Sequence, residues 1–320
     1  MADLLLGDAD FRAHLSPADF LASCDLAFRL YGQGALLNPP RQETIGDGQF
    51  KLEMPAEWPG RYRGRKIIEE RAATHAGRLG ERRAFILLED LVQGKQLHLE
   101  ADYATDMRTG AAGALGIQYL AGGPVARIAI LGTGRIARSL ARCADHLFPL
   151  EEIRATSRQP AGREAFAREV GPLLRAPLRL AGSIPECIAG AEAILAAVPA
   201  PQPVLSLADL SSSVLLSVMG GDSRTRQLAP EILEQVPLIV DHLDQAKNSG
   251  EFRHAQEEGR FERIALARGE KGEVLTIGDA ALGRLPAGPA RPRLAYFTGL
   301  AVQDLCAAVA LYEKLQKKEE

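Results

Sequence analysis

The sequence predicts an α/β protein of two domains: a doubly wound parallel sheet, and an α+β domain formed by both ends of the chain. Three observations predict this arrangement. From residue 125 to about residue 285, short apolar runs alternate with helical patterns, which is typical of a parallel sheet covered by helices. Residues 41–89 instead hold strand-like runs separated by turn residues. The chain then closes with a helical stretch rich in Leu and Ala, which we expect to return to the first domain.

Length, charge and cysteine content limit the possible classes. A chain of 320 residues is long enough for two domains with a large core. Its net charge of -3 and 25% charged residues give no indication of nucleic-acid binding. The four cysteines are widely spaced, so neither a disulfide framework nor a metal site is indicated. No run reaches the ~18 apolar residues of a membrane span, and no signal peptide is recognisable. We therefore expect a cytoplasmic protein that does not bind membranes.

The α+β domain is expected to cover residues 1–121 and to be completed by 293–320. A strand at Leu4 to Leu6 precedes a helix that begins after Ser16, with Pro17 at its first position, as helix starts favour. Four strand-like pieces follow, separated by Gly, Asp and Pro turns. They cover residues 41–45, 49–54, 64–69 and 84–89. This spacing predicts an antiparallel or mixed sheet.

Residues 102–121 have the length and composition of a helix, for which Thr105 or Asp106 can serve as the cap. Three glycines recur at every third position of this stretch, at 110, 113 and 116. Each glycine costs a helix about 1 kcal/mol relative to alanine, so we expect another helix or a ligand to approach closely. Arg108 is expected in the first turn beside that smooth surface. A solvated surface charge is the alternative interpretation of Arg108.

The most informative stretch begins with the apolar run Ile128 to Leu131, which predicts a buried strand. It leads directly into Gly132-x-Gly134-x-x-Ala137, after which the apolar spacing becomes helical. In such a turn the first glycine permits the tight bend, the second allows close approach of a pyrophosphate, and the small third residue lets helix and strand pack. The helix N-terminus then faces the phosphates. A tight turn without a ligand is the alternative, but the flanking strand and helix favour a Rossmann-type dinucleotide site.

The parallel-sheet domain is expected to cover residues 122–292. Further strands are predicted at 152–157, 193–198, 214–218 and 238–240, with helices at 163–174 and 183–189. The second strand ends at Thr156-Ser157-Arg158. An NAD-selective site would place an acid there, whereas Arg158 can pair with a 2′-phosphate. We therefore expect an NAD(P) cofactor with a preference for NADP(H). An exposed surface arginine is the alternative.

Six short motifs span nearly the whole chain. They are Pro40-Arg41, Arg65-Lys66-Ile67-Ile68, Arg108-Thr109-Gly110-Ala111-Ala112, Gly132-Thr133-Gly134, Gly220-Gly221-Asp222 and Gly299-Leu300-Ala301-Val302-Gln303-Asp304. In this order and spacing the sequence resembles the ornithine cyclodeaminase/mu-crystallin family, which includes alanine dehydrogenase-like and ketimine reductase enzymes. The resemblance implies a homodimer in which a Rossmann domain is joined to a substrate and dimerisation domain.

The resemblance also implies roles for individual residues. Arg41, Lys66 and Arg108 would hold the carboxylate of a small amino-acid or imine substrate, and Lys66 and Asp222 would be catalytic. Three cations around one carboxylate would orient it tightly, and Asp222 would exchange a proton with the amine or with water. The expected cofactor-binding residues are Thr109, Gly132, Thr133, Gly134, Arg135, Ile136, Ser157, Arg158, Val198, Pro199 and Gly299. The alternatives are a solvated Lys66 and a helix-capping Asp222.

Three functions fit these features. The first is an NAD(P)-dependent oxidoreductase that interconverts an α-amino acid and its imine or 2-oxo acid. The second is a cyclodeaminase that uses bound NAD+ catalytically, and the third is a non-catalytic dinucleotide-binding protein of the crystallin kind. Several departures from the family pattern argue against ornithine specificity more than against the cofactor. They are the segment Ser223 to Gln227, the absence of a lysine from Ala295 to Thr298, Gln303 in place of a common glutamate, and the acid at Glu53, which is shifted by one position. The first function is therefore favoured.

Overall fold

The structure is a computed structural model that describes residues 4–46, 49–72, 79–220, 225–288 and 291–319. The chain divides into two compact units. Unit 1 consists of Met1–Arg108 and Leu300–Glu320, and unit 2 consists of Thr109–Gly299. These boundaries differ from the expected ones, which lay after residues 121 and 292. A helix contains the first boundary, and an unpredicted strand before the second belongs to unit 2.

Thirteen strands and eleven α-helices are found in the described part of the chain. In order they are β1 Leu4–Leu6, α1 Asp8–His14, α2 Pro17–Gly32, β2 Gln42–Gly46, β3 Gln49–Trp58, β4 Tyr62–Ala72, β5 Leu79–Asp90, β6 Lys95–Glu100, α3 Asp102–Leu120, β7 Arg127–Leu131, α4 Arg135–Leu147, β8 Glu152–Thr156, α5 Pro160–Val170, β9 Leu178–Leu180, α6 Ile184–Ile188, β10 Ala193–Ala196, β11 Leu215–Met219, α7 Pro230–Gln235, β12 Leu238–Val240, α8 Leu243–Ala246, α9 Gly250–Glu257, α10 Ile277–Ala281, β13 Leu294–Phe297 and α11 Ala301–Glu319. No helix among these described residues is long and apolar enough to cross a membrane.

Unit 1 is built on a six-stranded mixed sheet in the order β1-β6-β5-β4-β3-β2. The first strand pairs parallel with β6 and the other pairs are antiparallel, which confirms the predicted mixed sheet. Helix α11 packs against α2 and against the central strands β3, β4 and β5, as expected for a terminal helix that returns to the first domain. Along β4 the side chains alternate, so that Lys66 is buried while Arg65 is exposed. The short helix α1 and the strand β6 were not predicted.

Helix α3 begins earlier than its capping signals suggested. It starts at Asp102, so Thr105 and Asp106 lie inside the helix, and Arg108 falls in the second turn rather than in the first. The Asp8 side chain accepts a hydrogen bond from the Tyr103 amide at 2.9 Å and thereby satisfies one of the free amides of this helix start. The predicted cap was wrong because a residue distant in the sequence supplies this acceptor.

The glycines of α3 lie where neighbouring elements leave no room for a side chain. A Cβ atom on Gly110 would overlap the backbone carbonyl of Ser139 in α4, and one on Gly116 would lie 2.8 Å from the Phe297 ring. Both contacts would be closer than carbon atoms normally approach each other. The predicted close approach of another helix is therefore confirmed. The cost of glycine in a helix is offset by this packing.

Unit 2 contains a seven-stranded sheet in the order β12-β13-β11-β10-β7-β8-β9, and all of its pairs are parallel. The strands β7, β10 and β12 are almost entirely buried, as expected for a parallel sheet covered on both faces. The predicted Rossmann-type fold is confirmed. The strand order reverses at β7, and ligands of such sheets bind beyond the carboxyl ends of the strands at that point.

Several parts of unit 2 differ from the sequence prediction, which did not include the helices α8, α9 and α10. The strands β9 and β13 were not predicted, and β13 lies inside the sheet between β12 and β11. Helix α5 runs over Pro160–Val170, whereas a helix at 163–174 was expected. It begins at Pro160 itself, whose fixed φ and missing amide proton suit the first helical position.

Candidate functional site

The glycine turn of unit 2 has the geometry that its sequence predicts. Gly132 follows β7 with a φ of 105°, which residues with a side chain rarely adopt. Its amide donates to the Thr156 carbonyl at 2.9 Å, and a Cβ atom here would lie 2.5 Å from the Ala197 oxygen. Any other residue would therefore distort the bend between β7 and α4.

The start of α4 is open to a ligand. Gly134 is its N-cap, has no side chain to occupy the amides of the first turn, and a Cβ atom added to it would meet nothing within 4 Å. Arg135 is exposed beside it, Ile136 is half-buried, and the buried Ala137 lets the helix pack closely. Free amides and the partial positive charge of a helix N-terminus are what a pyrophosphate binds. The residues present therefore fit a dinucleotide.

The end of β8 carries hydroxyl groups and arginines. The Thr156 hydroxyl donates to the Ala181 carbonyl at 2.8 Å and is buried. Thr133, in the glycine turn, donates to the Ser157 hydroxyl at 2.8 Å. Arg158 is exposed, and Arg163 donates to the Ser157 carbonyl at 2.5 Å. The position where NAD-selective sheets place an acid is thus occupied by neutral and cationic groups.

Gln227 joins the ends of two central strands, and sequence reasoning gave it no role. Its Oε1 accepts a hydrogen bond from the Val198 amide at 2.7 Å, and its Nε2 donates to the Met219 carbonyl at 2.7 Å. Its own amide donates to Glu251 Oε1 at 2.6 Å. Val198 and the exposed Pro199, both expected at the cofactor, follow β10, so Gln227 fixes the backbone beside them.

The buried hydroxyl group of Tyr296 contacts Gly220, the residue that follows β11. The Tyr296 hydroxyl hydrogen-bonds the Glu251 carboxyl group, and lies 3.0 Å from the Gly220 oxygen and 2.9 Å from the Ser249 hydroxyl. Burial raises the pKa of Glu251, although its hydrogen bonds oppose that shift. Gly220 directly precedes residues 221–224. The predicted catalytic residue Asp222 lies in that segment, outside the described residues.

The turn after β13 is held by one buried carboxylate. Asp241 Oδ2 accepts hydrogen bonds from the amides of Thr298 and Gly299 at 2.8 and 2.6 Å. Burial raises the pKa of Asp241, and these hydrogen bonds oppose the rise. Gly299, predicted at the cofactor, is buried with a φ of 88°. Thr109, also predicted there, is half-buried in α3.

Unit 1 contains a buried cluster of charges formed by Lys66, Arg108 and Asp304. Asp304 Oδ1 accepts hydrogen bonds from Lys66 Nζ at 3.0 Å and from Arg108 Nε at 3.1 Å. The three side chains are 0%, 8% and 2% exposed. Neither cation is solvated, so the alternatives of a surface lysine and a surface arginine are wrong. When Lys66 is protonated, two cations and one carboxylate leave one surplus positive charge, which is the electrostatic requirement for binding an anion.

Neutral polar groups surround the cluster. Gln303 Oε1 accepts from the Leu300 amide at 2.8 Å and from Arg108 Nη1 at 3.4 Å. Gln303 Nε2 donates to the Cys24 sulfur at 3.3 Å. Burial raises the pKa of Cys24 to about 12, so this thiol is uncharged at neutral pH. The surplus charge of the cluster is therefore not cancelled by Gln303 or Cys24.

The pKa of Lys66 is strongly perturbed. This pKa is lowered from 10.5 to about 7, chiefly by burial and next by the neighbouring Arg108, whereas Asp304 opposes the shift. The amine therefore changes its protonation state near neutral pH. A perturbed pKa in a buried group with a specific charge partner is typical of functional sites.

Of the three cations predicted to bind a carboxylate, the structure brings Lys66 and Arg108 together at Asp304. Arg41 lies just before β2, is half-buried, and makes no hydrogen bond or ion pair with the described residues, so Asp304 does not tie it to Lys66 and Arg108. The sequence motifs by themselves predict no role for Asp304. A sequence signal existed, because Gln303 and Asp304 are the only polar residues in the apolar stretch from residue 300 to residue 311.

These features define a class of protein: an α/β dinucleotide-binding protein with a separate buried cationic cluster. The model of the ornithine cyclodeaminase/mu-crystallin family matches residues 3–319, and the chain belongs to that family. The alanine dehydrogenase of Archaeoglobus fulgidus is 26% identical over 99% of this chain and 97% of its own length. The ketimine reductase mu-crystallin of Rattus norvegicus is 26% identical over 72% of this chain and 69% of its own.

Solved structures show the same fold. An archaeal alanine dehydrogenase dimer with bound NAD superposes with a TM-score of 0.85 at 24% identity, covering 100% of this chain and 98% of that one. The Delta(1)-pyrroline-2-carboxylate reductase of Thermococcus litoralis, in complex with NADH and L-proline, gives 0.86 at 23% identity, with coverages of 99% and 98%. The chain is thus a member of a family of NAD(P)-dependent enzymes, and its glycine turn has the geometry to hold a dinucleotide.

Proposed function

We propose that the protein is an NAD(P)-dependent oxidoreductase that interconverts a small α-amino acid and its imine or 2-oxo acid. The buried surplus positive charge at Lys66 and Arg108 carries this proposal, because an α-carboxylate is the group common to these substrates. The names of the relatives support it: alanine dehydrogenase, pyrroline-2-carboxylate reductase and ketimine reductase.

In the proposed reaction each residue has one task. Lys66 and Arg108, with Arg41 as a third cation, bind and orient the carboxylate, which fixes the adjacent Cα. Asp222 takes the proton of the substrate ammonium group during oxidation and returns a proton to the nitrogen during reduction. The dinucleotide, when bound at the glycine turn, supplies or accepts the hydride. The burial of Lys66 and Asp304 excludes water from the cationic cluster and strengthens its hold on an anion.

The absorbance of the reduced nicotinamide tests this function directly. Purified protein is given NADPH or NADH with ammonium or methylamine and a panel of 2-oxo acids and cyclic imines. Net cofactor oxidation is expected, with the substrate identified by the panel. Ammonia released from ornithine with no net change in NAD+ would instead establish a cyclodeaminase. Failure of both reactions in protein that still binds a dinucleotide would establish the non-catalytic alternative.

We also propose that NADP(H) is the preferred cofactor and that Arg158 binds its 2′-phosphate. Arg158→Ala should weaken NADPH binding about tenfold, the usual scale for losing one charge-assisted hydrogen bond, and should leave NADH binding nearly unchanged. Fluorescence titration with both reduced cofactors measures this. Arg168→Ala is the matched control, because Arg168 is an exposed arginine on α5. An equal loss for both cofactors would remove Arg158 from this role.

The working unit is proposed to be a homodimer formed through the sheet of unit 1. On the face of this sheet opposite Lys66 and Ile86, the apolar side chains of Ile67, Phe85 and Leu87 are half-buried, and Ile67 pairs with Phe85. The archaeal alanine dehydrogenase structure, which is a dimer, supports a second copy as the partner. Leu87→Arg should convert the dimer to monomer in light-scattering mass measurements, because it introduces a desolvated charge. A wild-type mass of one chain, or a variant that remains dimeric, would contradict this surface.

A further inference from the structure

Asp304 has no task in the proposed reaction, although it contacts both cations that bind the carboxylate. We propose that Asp304 is the positioning residue of the carboxylate site, where it holds Lys66 and Arg108 together, and that molecules with a neutral Lys66 take up a proton from solvent when an α-carboxylate binds. The inference rests on the proposed function, because its ligand is the carboxylate of the proposed substrate. It adds a residue, and a coupling between substrate and proton, to that function.

The geometry places Asp304 between the two cations. Lys66 belongs to β4, Arg108 to α3 and Asp304 to the first turn of α11, so three elements converge on one carboxylate oxygen. This oxygen, Oδ1, accepts from Lys66 Nζ at 3.0 Å and from Arg108 Nε at 3.1 Å. The other oxygen, Oδ2, is buried and has no hydrogen-bond partner among the described residues. Asp304 is thus positioned by its contacts with the two cations and does not act as a helix cap.

Charged groups around Lys66 act in opposite directions. Arg108 from α3 and Arg82 from β5 disfavour the ammonium form, whereas Asp304 from α11 favours it. Cys24 of α2, close to Arg108 and Asp304, is an uncharged thiol at neutral pH because burial raises its pKa to about 12. Gln303 adds no charge, whereas a glutamate there would cancel the surplus. One carboxylate therefore has to balance more than one cation.

The protonation of Lys66 follows from this balance. Its pKa of about 7 means that ligand-free molecules with an ammonium group and with a neutral amine coexist near neutral pH. A substrate carboxylate beside the amine favours the ammonium form and raises that pKa. Binding near pH 7 therefore takes up a proton, whereas binding well below pH 7 takes up none. By the same linkage, affinity for the carboxylate falls as the pH rises above about 7.

Calorimetry of the wild-type protein saturated with NADP+ tests the proton uptake. The probe is pyrrole-2-carboxylate, whose aromatic ring carries an α-carboxylate beside nitrogen and has no amine that can be oxidised to an imine. Titrations in two buffers of different ionisation enthalpy should give an uptake of a fraction of a proton near pH 7, falling towards zero at lower pH. Binding without proton uptake at pH 7 would overturn the inference and leave the carboxylate site intact. Failure of the wild-type protein to bind the probe would overturn the carboxylate site itself, and the inference with it.

Two substitutions test Asp304. Asp304→Asn removes the charge that keeps the pKa of Lys66 near 7, so that pKa should fall further. Probe affinity at pH 7 should drop about tenfold, the proton uptake at pH 7 should approach one, and affinity should recover at lower pH. Asp304→Glu, which keeps the charge, should retain more of the wild-type pH profile. Asp25→Asn, at a surface aspartate of α2, is the control. A merely structural role predicts an equal loss of affinity at every pH, and that result would contradict the proposal.

Discussion

Asp222→Asn should abolish turnover and leave the dinucleotide bound. Asparagine has nearly the size of aspartate but cannot take the proton of an ammonium group, so kcat should fall by about 10²- to 10⁴-fold, the usual contribution of a general base. The dissociation constant for NADPH should change little, because the glycine turn of unit 2 does not include residue 222. Single-turnover absorbance measures the chemical step and fluorescence titration measures cofactor binding.

The control for this prediction is Asp244→Asn, which makes the same chemical change at an exposed aspartate of α8. It should leave both kcat and cofactor affinity unchanged. Wild-type turnover in Asp222→Asn would remove Asp222 from its proposed role. A loss of cofactor affinity as large as the loss of kcat would show instead that residue 222 acts through the dinucleotide site.

Lys66→Met should strongly weaken the affinity for the substrate carboxylate without unfolding the protein. Methionine has a similar volume and no charge, and it leaves Asp304 paired with Arg108 at 3.1 Å, so the surplus positive charge disappears. We expect kcat/KM to fall by roughly 100-fold, equivalent to about 2.7 kcal/mol, the scale for truncating one partner of a buried charge contact. Steady-state kinetics with the substrate from the cofactor assay measures this. Lys95→Met, at an exposed lysine of β6, is the control and should have no effect.

Lys66→Met should also change the stability of the folded protein, by an amount that depends on pH. The pKa of Lys66 is about 7 in the folded protein and 10.5 in a model peptide, so the unfolded chain binds more protons between these values. Burial of the ammonium therefore destabilises the fold below about pH 7, and this penalty is lost as the pH rises towards 10.5. Lys66→Met should raise the urea midpoint at or below pH 7, and the gain should shrink at higher pH. A gain independent of pH would contradict a buried, titrating amine.

Local signals in the sequence determined most of the fold. The apolar run before Gly132 and the change to helical spacing after it are properties of neighbouring residues, and these predicted β7, the turn and α4. Ser16 and Pro17 predicted the start of α2 for the same reason, since a cap is satisfied within one turn. The glycines of α3 predicted a close contact, which the structure places at Ser139 and Phe297. The six short motifs that resemble the ornithine cyclodeaminase/mu-crystallin family are local patterns of the same kind.

Other features depended on residues far apart in the chain, and only the tertiary structure decided them. The start of α3 is satisfied by Asp8, which is 95 positions away in the sequence from its hydrogen-bond partner Tyr103. The short strand β13 has no flanking alternation that would reveal it, and it is a strand because β11 and β12 pair with it. In each case the acceptor or the pairing edge comes from another element, which no local pattern can indicate.

The same distinction applies to the candidate site. The sequence by itself determined the residue types: cations at positions 66 and 108, and a glycine turn suited to phosphates. The tertiary structure alone decided that Asp304, 238 positions from Lys66, accepts hydrogen bonds from both cations in a buried cluster. Burial and pairing set the pKa of Lys66, because the cost of desolvating a charge depends on every element packed around it. The sequence therefore determines which side chains can carry a charge, whereas the fold determines the pH range in which Lys66 is protonated.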